Sequence, residues 1–389
     1  MDIVRISSQL KGFPWGGRVF LQSLVQQPDK MGVPIGELWM GVHPNAPSTV
    51  LETGENLASF LANNPQFLGD LHEFPFLLKV MAIERPLSIQ CHPDAVQAQK
   101  GWEKEAPKRK VLDRAVWNYQ DANPKAEMLV ALTETTAMCG FLPAKQIENN
   151  LRKVLPKSYH SMFSHCEHAS DPVRCFVQTL YRLDKATLAA VVAEYQESLE
   201  SLDEKPNPPF LTVSEIASQV VAQYGADPGV FGPYLLQVVH LKPGNGIFLK
   251  PGVVHAYVQG NGIELMNNSD NILRAGLTDK HVDYEELFSI MDTSYQRVEE
   301  IPTITEGGRY CYQTDDPFFC LYRFESGSYD EGQVPVSLLL CIEGTVTVTR
   351  NSQSFSIGKG ECLLLGANLE NYHLEVEGCA YRASYPTKR

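Results

Sequence analysis

The chain has 389 residues, 43% of them hydrophobic, enough for two or three domains with a core each, and this excludes a disordered or fibrous protein. With 46 acidic against 33 basic residues the formal net charge is −13, a field that repels phosphate backbones and anionic lipid, so nucleic acid and membrane surfaces are not expected partners. Apolar runs such as Leu338 to Ile342 fall far short of the roughly 20 residues that cross a bilayer.

From residue 1 to about 145, short apolar runs broken by Gly, Pro and Asn predict strands, for example Phe76 to Met81 and Glu127 to Leu132. Between about 148 and 235 the period changes to that of a helix. Asp171-Pro172 is an N-cap and first-turn signal ahead of Val173, Phe176, Val177 and Leu180. Leu188, Val191, Val192, Tyr195, Leu199 and Leu202 continue the pattern, as do Val213, Ile216, Val220 and Tyr224 before a capping Gly225. The stretch Lys205 to Pro209 separates two of these helices. From Leu236 strands return: Val238 to Leu241, a turn at Lys242 to Gly246, then Ile247 to Leu249. Gly344 to Thr349, a turn at Ile357 to Glu361 and Cys362 to Leu365 repeat that arrangement late in the chain. Two β units with a helical block between them are the ingredients of jelly-roll barrels, although alternation alone does not separate a jelly roll from another sandwich.

Nine scattered cysteines, with no Cys-x-x-Cys pair, are expected to be reduced thiols rather than a disulfide framework or a thiolate zinc site. Charges at Asp2 and Arg5 interrupt what an export leader would need as its apolar core, so the chain is expected in the cytoplasm.

Three stretches could carry chemistry. Gln90-Cys91-His92 follows Leu87-Ser88-Ile89, which has strand character, and side chains two apart on a strand share a face, so Gln90 and His92 can meet one ion. Taken alone the pair reads as polar residues ahead of the Pro93-Asp94 turn. Glu127 enters an apolar strand, where a carboxylate needs a partner or a metal. His255 follows the turn at Pro251-Gly252, on the next strand. Two imidazoles, a carboxylate and an amide oxygen suit a borderline divalent ion such as Zn²⁺ with a position left for water or a substrate hydroxyl. The run Gly262 to Lys280 adds Glu264, one strand after His255, as a general acid or base, and Arg274, whose planar fork matches phosphate oxygens. Against a background of −13, an anionic substrate would have to be held by such a local cluster.

Trp15-Gly16, Gly36 to Gly41, Phe74 to Val80, Pro86 to Pro93, Pro251 to Tyr257 and Ser269 to Lys280 together closely resemble the type I mannose-6-phosphate isomerase (phosphomannose isomerase) family of the cupin superfamily, from the N-terminus to about residue 300. The resemblance implies a mainly β chain with an α-helical insertion. A catalytic cupin barrel would span 1–147 with 236–300, a helical insertion 148–235, and a degenerate C-terminal jelly roll 301–389. It implies one zinc per chain held by Gln90, His92, Glu127 and His255, and interconversion of mannose 6-phosphate and fructose 6-phosphate by proton transfer between C1 and C2 through a cis-enediol, a step that feeds GDP-mannose biosynthesis. By the same resemblance Glu264 is the acid/base candidate, with Lys125 as the alternative, Arg274 and Lys280 clamp the phosphate, and Lys79, Ser88, Glu37 and Tyr257 line the pocket. The acidic charge favours a separate, monomeric chain.

One departure stands out. Where the family reads Asn-His-Lys-Pro-Glu, this chain has Asn123-Pro124-Lys125-Ala126-Glu127, which removes a hydrogen-bonding ring but keeps the lysine and the carboxylate. Cys91 stands for the usual valine and is expected to face the core. The late repeat offers only Leu363 to Asn368 where His255 would be matched, so no metal is expected there, and His373 reads as a satisfied surface histidine. Two other readings compete. A cupin dioxygenase would use iron and leave room for O₂, which Gln90, Arg274 and Lys280 do not suit; an idle cupin would bind a sugar phosphate as a sensor.

Overall fold

The computed structural model describes residues 2–306 and 308–386. It is mainly β, with two antiparallel sheets and a block of helices. The ten-stranded sheet curls around the strand His255–Asn267. The first residues of that strand pair with Gln90–Cys91 and Thr135–Phe141, and the rest with Phe76–Ile83 and Glu127–Ala131. Phe76–Ile83 and Glu127–Ala131 are buried throughout, which is why they read as apolar runs rather than as alternation.

Register then decides which polar side chains meet. Gln90 lies opposite both His255 and Arg274, and Glu264 lies opposite Lys79. The strand containing Gln90 is only two residues long; Leu87 and Ile89 before it are tied down singly, by Tyr257, Gly276 and Ala275 backbone groups. Glu264 is not one strand after His255, as expected, but on the same strand. Gln259-Gly260-Asn261-Gly262 looks like a turn in sequence, yet Gly260, at φ +123°, bends the strand without ending it.

Between the sheet strands lie the helices Ala144–Val154, Pro172–Tyr181, Lys185–Glu200 and Val213–Tyr224. Their signals act as expected: Asp171 accepts from the Arg174 amide with Pro172 next to it, Thr212 and Glu215 form a capping box, and Gly225 closes the last helix. Their apolar faces share a core with Ile89, Cys91, Met138, Phe141 and Val254 of the sheet. The expectation of uniformly reduced thiols needs one correction. Cys166, on the turn Cys166–His168, meets Cys175 in the first turns of Pro172–Tyr181 with Cα atoms 5.3 Å apart, and the two form a disulfide; Cys91, Cys139, Cys320, Cys341, Cys362 and Cys379 keep free thiols.

The second sheet has eight strands, seven of them between Thr303 and Ser384. Its eighth is the N-terminal Ile3–Ile6, paired with Cys362–Leu365. Here His373 bonds to Asp330 and Ser328, as a satisfied histidine should.

Candidate metal centre and cleft

His92 comes directly after the short strand Gln90–Cys91, buried, with Nδ1 2.8 Å from the Asn271 carbonyl oxygen. A carbonyl can only accept, so the ring proton sits on Nδ1 and Nε2 presents its lone pair. That Nε2 is 3.2 Å from Glu127 Oε1. His255, at the start of its strand, repeats the arrangement: Nδ1 is 2.9 Å from the Val253 carbonyl oxygen, and Nε2 is 3.3 Å from Glu127 Oε2. His255 Nε2 is buried and has no hydrogen-bond partner. The three ligand atoms lie within 4.8 Å of one another. Two lone pairs and a carboxylate converge in a space almost closed to water, with no proton to share between the rings and the acid. Lys125 Nζ, 3.4 Å from His92 Nε2, places one cation at the side of this set, whereas His255 Nε2 is left without a donor, and two rings with a carboxylate between them fit a divalent metal.

Electrostatics sharpen the fit. Burial pushes the His92 pKa down to about 3, and Lys125 adds to that, which keeps the ring neutral and ligating. Burial alone would raise Glu127, but Lys125 and His92 hold its carboxyl well below the usual range. Lys125 Nζ is 2.8 Å from Glu127 Oε1. In the segment that departs from the family, the Lys125 amide donates to the Pro93 carbonyl and the Ala126 amide to Asn267 Oδ1, so Pro124 interrupts neither bond.

These groups form the floor of a cleft of about 980 Å³. Glu37, Lys79, Ser88, Gln90, Lys125, Glu127, Tyr257, Glu264, Arg274 and Lys280 all line it, while His92 and His255 sit in the cluster at Glu127. On one wall Lys79 Nζ and Glu264 Oε2 are 2.7 Å apart. Burial opposes the charge on Lys79, yet Glu264, Glu37 and Glu127 hold its pKa above the usual value. Glu264 is raised by burial, with Glu127 and Glu37 adding to it against the pull of Lys79. Two buried acids and one buried ammonium thus leave Glu264 easier to protonate than an ordinary carboxylate, a property suited to proton transfer. Tyr257 donates to Glu127 Oε2 at 3.2 Å.

On the strand paired with Gln90, Arg274 is half-buried and, among the described residues, makes no hydrogen bond or ion pair through its guanidinium. Burial lowers its pKa, against the pull of Asp279. A partly desolvated guanidinium without a bound acceptor suits an anion. Lys280 lines the same cleft and is exposed.

Some residues that shape the cleft were given no role by the sequence. The indole of Trp39 donates to Glu37 Oε2 at 2.6 Å and lies under both Lys11 and Lys79. Phe13 and Trp15 stack at the wall. Asn271 acts on His92 through a main-chain carbonyl, and its buried amide is held by Asp121; only its place in the Ser269 to Lys280 run hinted at it.

Comparison with known proteins follows this geometry. The family model "Phosphomannose isomerase type I, catalytic domain" matches residues 3–144. The mannose-6-phosphate isomerase of Escherichia coli (strain K12) is 30% identical over 379 residues, covering 94% of this chain and 95% of its own, and the human one is 32% identical over 367 residues, covering 86% and 84%. A crystal structure of a zinc-bound mannose 6-phosphate isomerase superposes with a TM-score of 0.90 at 27% identity, over the whole of both chains.

Proposed function

The chain belongs to the type I phosphomannose isomerase family, and from that premise we propose that it is a zinc-dependent isomerase interconverting D-mannose 6-phosphate and D-fructose 6-phosphate. The observation that carries this reading is the pair of buried imidazoles aimed at Glu127, which lines the cleft that also holds Arg274. Gln90, His92, Glu127 and His255 would hold the ion, which supplies a Lewis acid that polarises the sugar oxygens at C1 and C2 when bound.

The remaining work falls to side chains. In the forward direction a base takes the proton from C2, a cis-enediol forms, and the proton returns to C1 while a hydroxyl proton passes between O2 and O1. Glu264 is the candidate for the carbon-bound proton, being buried and raised, with Lys79 keeping its ionised form accessible. Lys125 is the alternative, because it too lines the cleft beside the ligand carboxylate. Arg274 and Lys280 would hold the phosphate, fixing C1 and C2 over the base. Ser88, Glu37 and Tyr257 would bind the sugar hydroxyls.

The same reading extends to the architecture. It divides the chain into a catalytic cupin barrel (1–147 with 236–300), a helical insertion (148–235) and a C-terminal jelly roll (301–389), supported by the curled ten-stranded sheet and the helices after Ala144. Free thiols at Cys91, Cys139, Cys320, Cys341, Cys362 and Cys379 support a reducing, cytoplasmic setting.

The test is a coupled assay from mannose 6-phosphate to fructose 6-phosphate on chelator-stripped protein, repeated after adding Zn²⁺. Activity is expected to vanish and return. No turnover with any divalent ion, while mannose 6-phosphate still raises Tm, would instead make the chain a binding module.

A further inference from the structure

The segment carrying Arg274 and Lys280 is held in an unusual backbone. After Arg274 come Gly276, at φ +112°, and Leu277, at φ +54°, a left-handed conformation that a branched side chain rarely adopts. Such a turn persists only where its surroundings over-determine it. Two restraints come from the short strand below: the Ala275 amide donates to the Ile89 carbonyl at 2.7 Å and the Ile89 amide to the Gly276 carbonyl at 3.0 Å. The others come from the helical block. Tyr181 Oη donates to the Ala275 carbonyl at 2.6 Å. Asp227 Oδ1 accepts from the Leu277 amide at 2.8 Å and from its own neighbour Gly229 at 2.7 Å. Contact is close enough that a Cβ on Gly276 would lie 2.6 Å from that same Oδ1.

We propose that Asp227 is a positioning residue for substrate phosphate: its carboxylate pins the Leu277 amide, fixes the strained turn, and so aims Arg274 and Lys280 at one anion. On this view the helical block is part of the phosphate-binding apparatus, not a spacer. The inference rests on the phosphate role proposed for Arg274.

The experiment uses the full-length, zinc-loaded enzyme and reads KM and kcat for mannose 6-phosphate, competitive inhibition by inorganic phosphate, zinc content and Tm. Asp227→Ala is expected to raise KM and the phosphate Ki together, roughly tenfold, the scale of a charged acceptor lost from a positioning contact, while kcat and zinc content stay within about twofold. Asp227→Asn keeps an oxygen acceptor in place and is expected to restore both constants. Should Asp227→Ala fail to fold, Tyr181→Phe removes only the bond to Ala275 and should raise the same two constants by a smaller factor. Unchanged KM and Ki in the folded variants, or a fall in kcat alone, would overturn the proposal, as would an Asp227→Asn enzyme as impaired as the alanine. Arg274→Ala separates the two levels: if it leaves phosphate inhibition intact, the phosphate reading itself fails, whereas if only Asp227→Ala does so, the positioning role fails alone.

Discussion

Glu264 and Lys79 show how one buried contact sets a reactive property. Burial and two neighbouring acids raise the Glu264 pKa, and the ammonium 2.7 Å away opposes them. If Glu264 must be ionised to take the proton, kcat/KM should fall as pH drops through that raised value, above the ordinary carboxylate range. Replacing Lys79 with Met removes the opposing charge, so the acid limb should move to higher pH by about one unit or more, the usual scale for an opposite charge at this distance. A pH profile with an unmoved limb would assign the titration to another group. Glu264→Gln should lower kcat by about a hundredfold or more with zinc content unchanged; an active variant would shift the role to Lys125. The candidate metal ligands bear on stability as well. In the zinc-free protein His92 is depressed to about 3 and Glu127 lies well below its usual value. From pH 6.5 downward the unfolded chain therefore takes up a proton at His92 that the folded chain refuses, which removes about 1.4 kcal/mol of stability per pH unit, and Glu127 adds the same slope only below about pH 4.5. Glu264, raised, works in the opposite direction and offsets part of the His92 loss above that point. Melting of the stripped protein should show Tm falling most steeply below about pH 4.5; a flat profile would mean that these residues titrate normally without the ion.

At the scale of elements, the strand His255–Asn267 is what joins a metal ligand to a proton-transfer candidate, and it was the element least legible in sequence. Capping residues are local signals, so Asp171-Pro172 and Gly225 marked their helices correctly. The strand was hidden because Gly260 and Gly262 imitate a turn, whereas they are required by packing: a Cβ at Gly260 would lie 2.3 Å from Thr135 Oγ1 and 2.7 Å from the Glu134 carbonyl oxygen. Gly260→Ala meets both that crowding and a positive φ. It should cost about 1–3 kcal/mol and lower zinc occupancy by shifting His255 against Glu127. Calorimetry with metal analysis checks both, and a fully loaded variant with wild-type Tm would show that the strand tolerates a straighter path. That the twelve expected residues gather at one cleft and cluster was legible in contiguous runs such as Pro86 to Pro93 and Gly262 to Lys280. Asn271, Asp121 and the Cys166–Cys175 disulfide were not, since a main-chain carbonyl and a pairing across a turn leave no spacing signature.

Across the whole molecule the two sheets are tied more closely than their order in the sequence suggests. The N-terminal strand Ile3–Ile6 crosses to pair with Cys362–Leu365, so the first and last parts of the chain complete one sheet. One core then runs between the sheets, with Val4, Leu38, Leu78, Val80 and Leu265 packed in the same cluster as Leu338, Leu340, Leu364 and Tyr381. Tyr312 reaches back to the Gly244 carbonyl at 2.7 Å, at the turn that precedes the strand Gly246–Leu249. A second sheet attached only by a linker would unfold by itself, but here its loss would strip the ten-stranded sheet of apolar cover and leave Ile3–Ile6 without a partner strand. The full chain is therefore expected to unfold in a single transition by circular dichroism and tryptophan fluorescence, with zinc raising its midpoint. A chain ending at residue 300 should be insoluble or lack a cooperative melt. Two separated transitions, or a truncated chain that melts cooperatively and retains isomerase activity, would show instead that the C-terminal sheet is a dispensable appendage and that the shared core contributes little to the catalytic half.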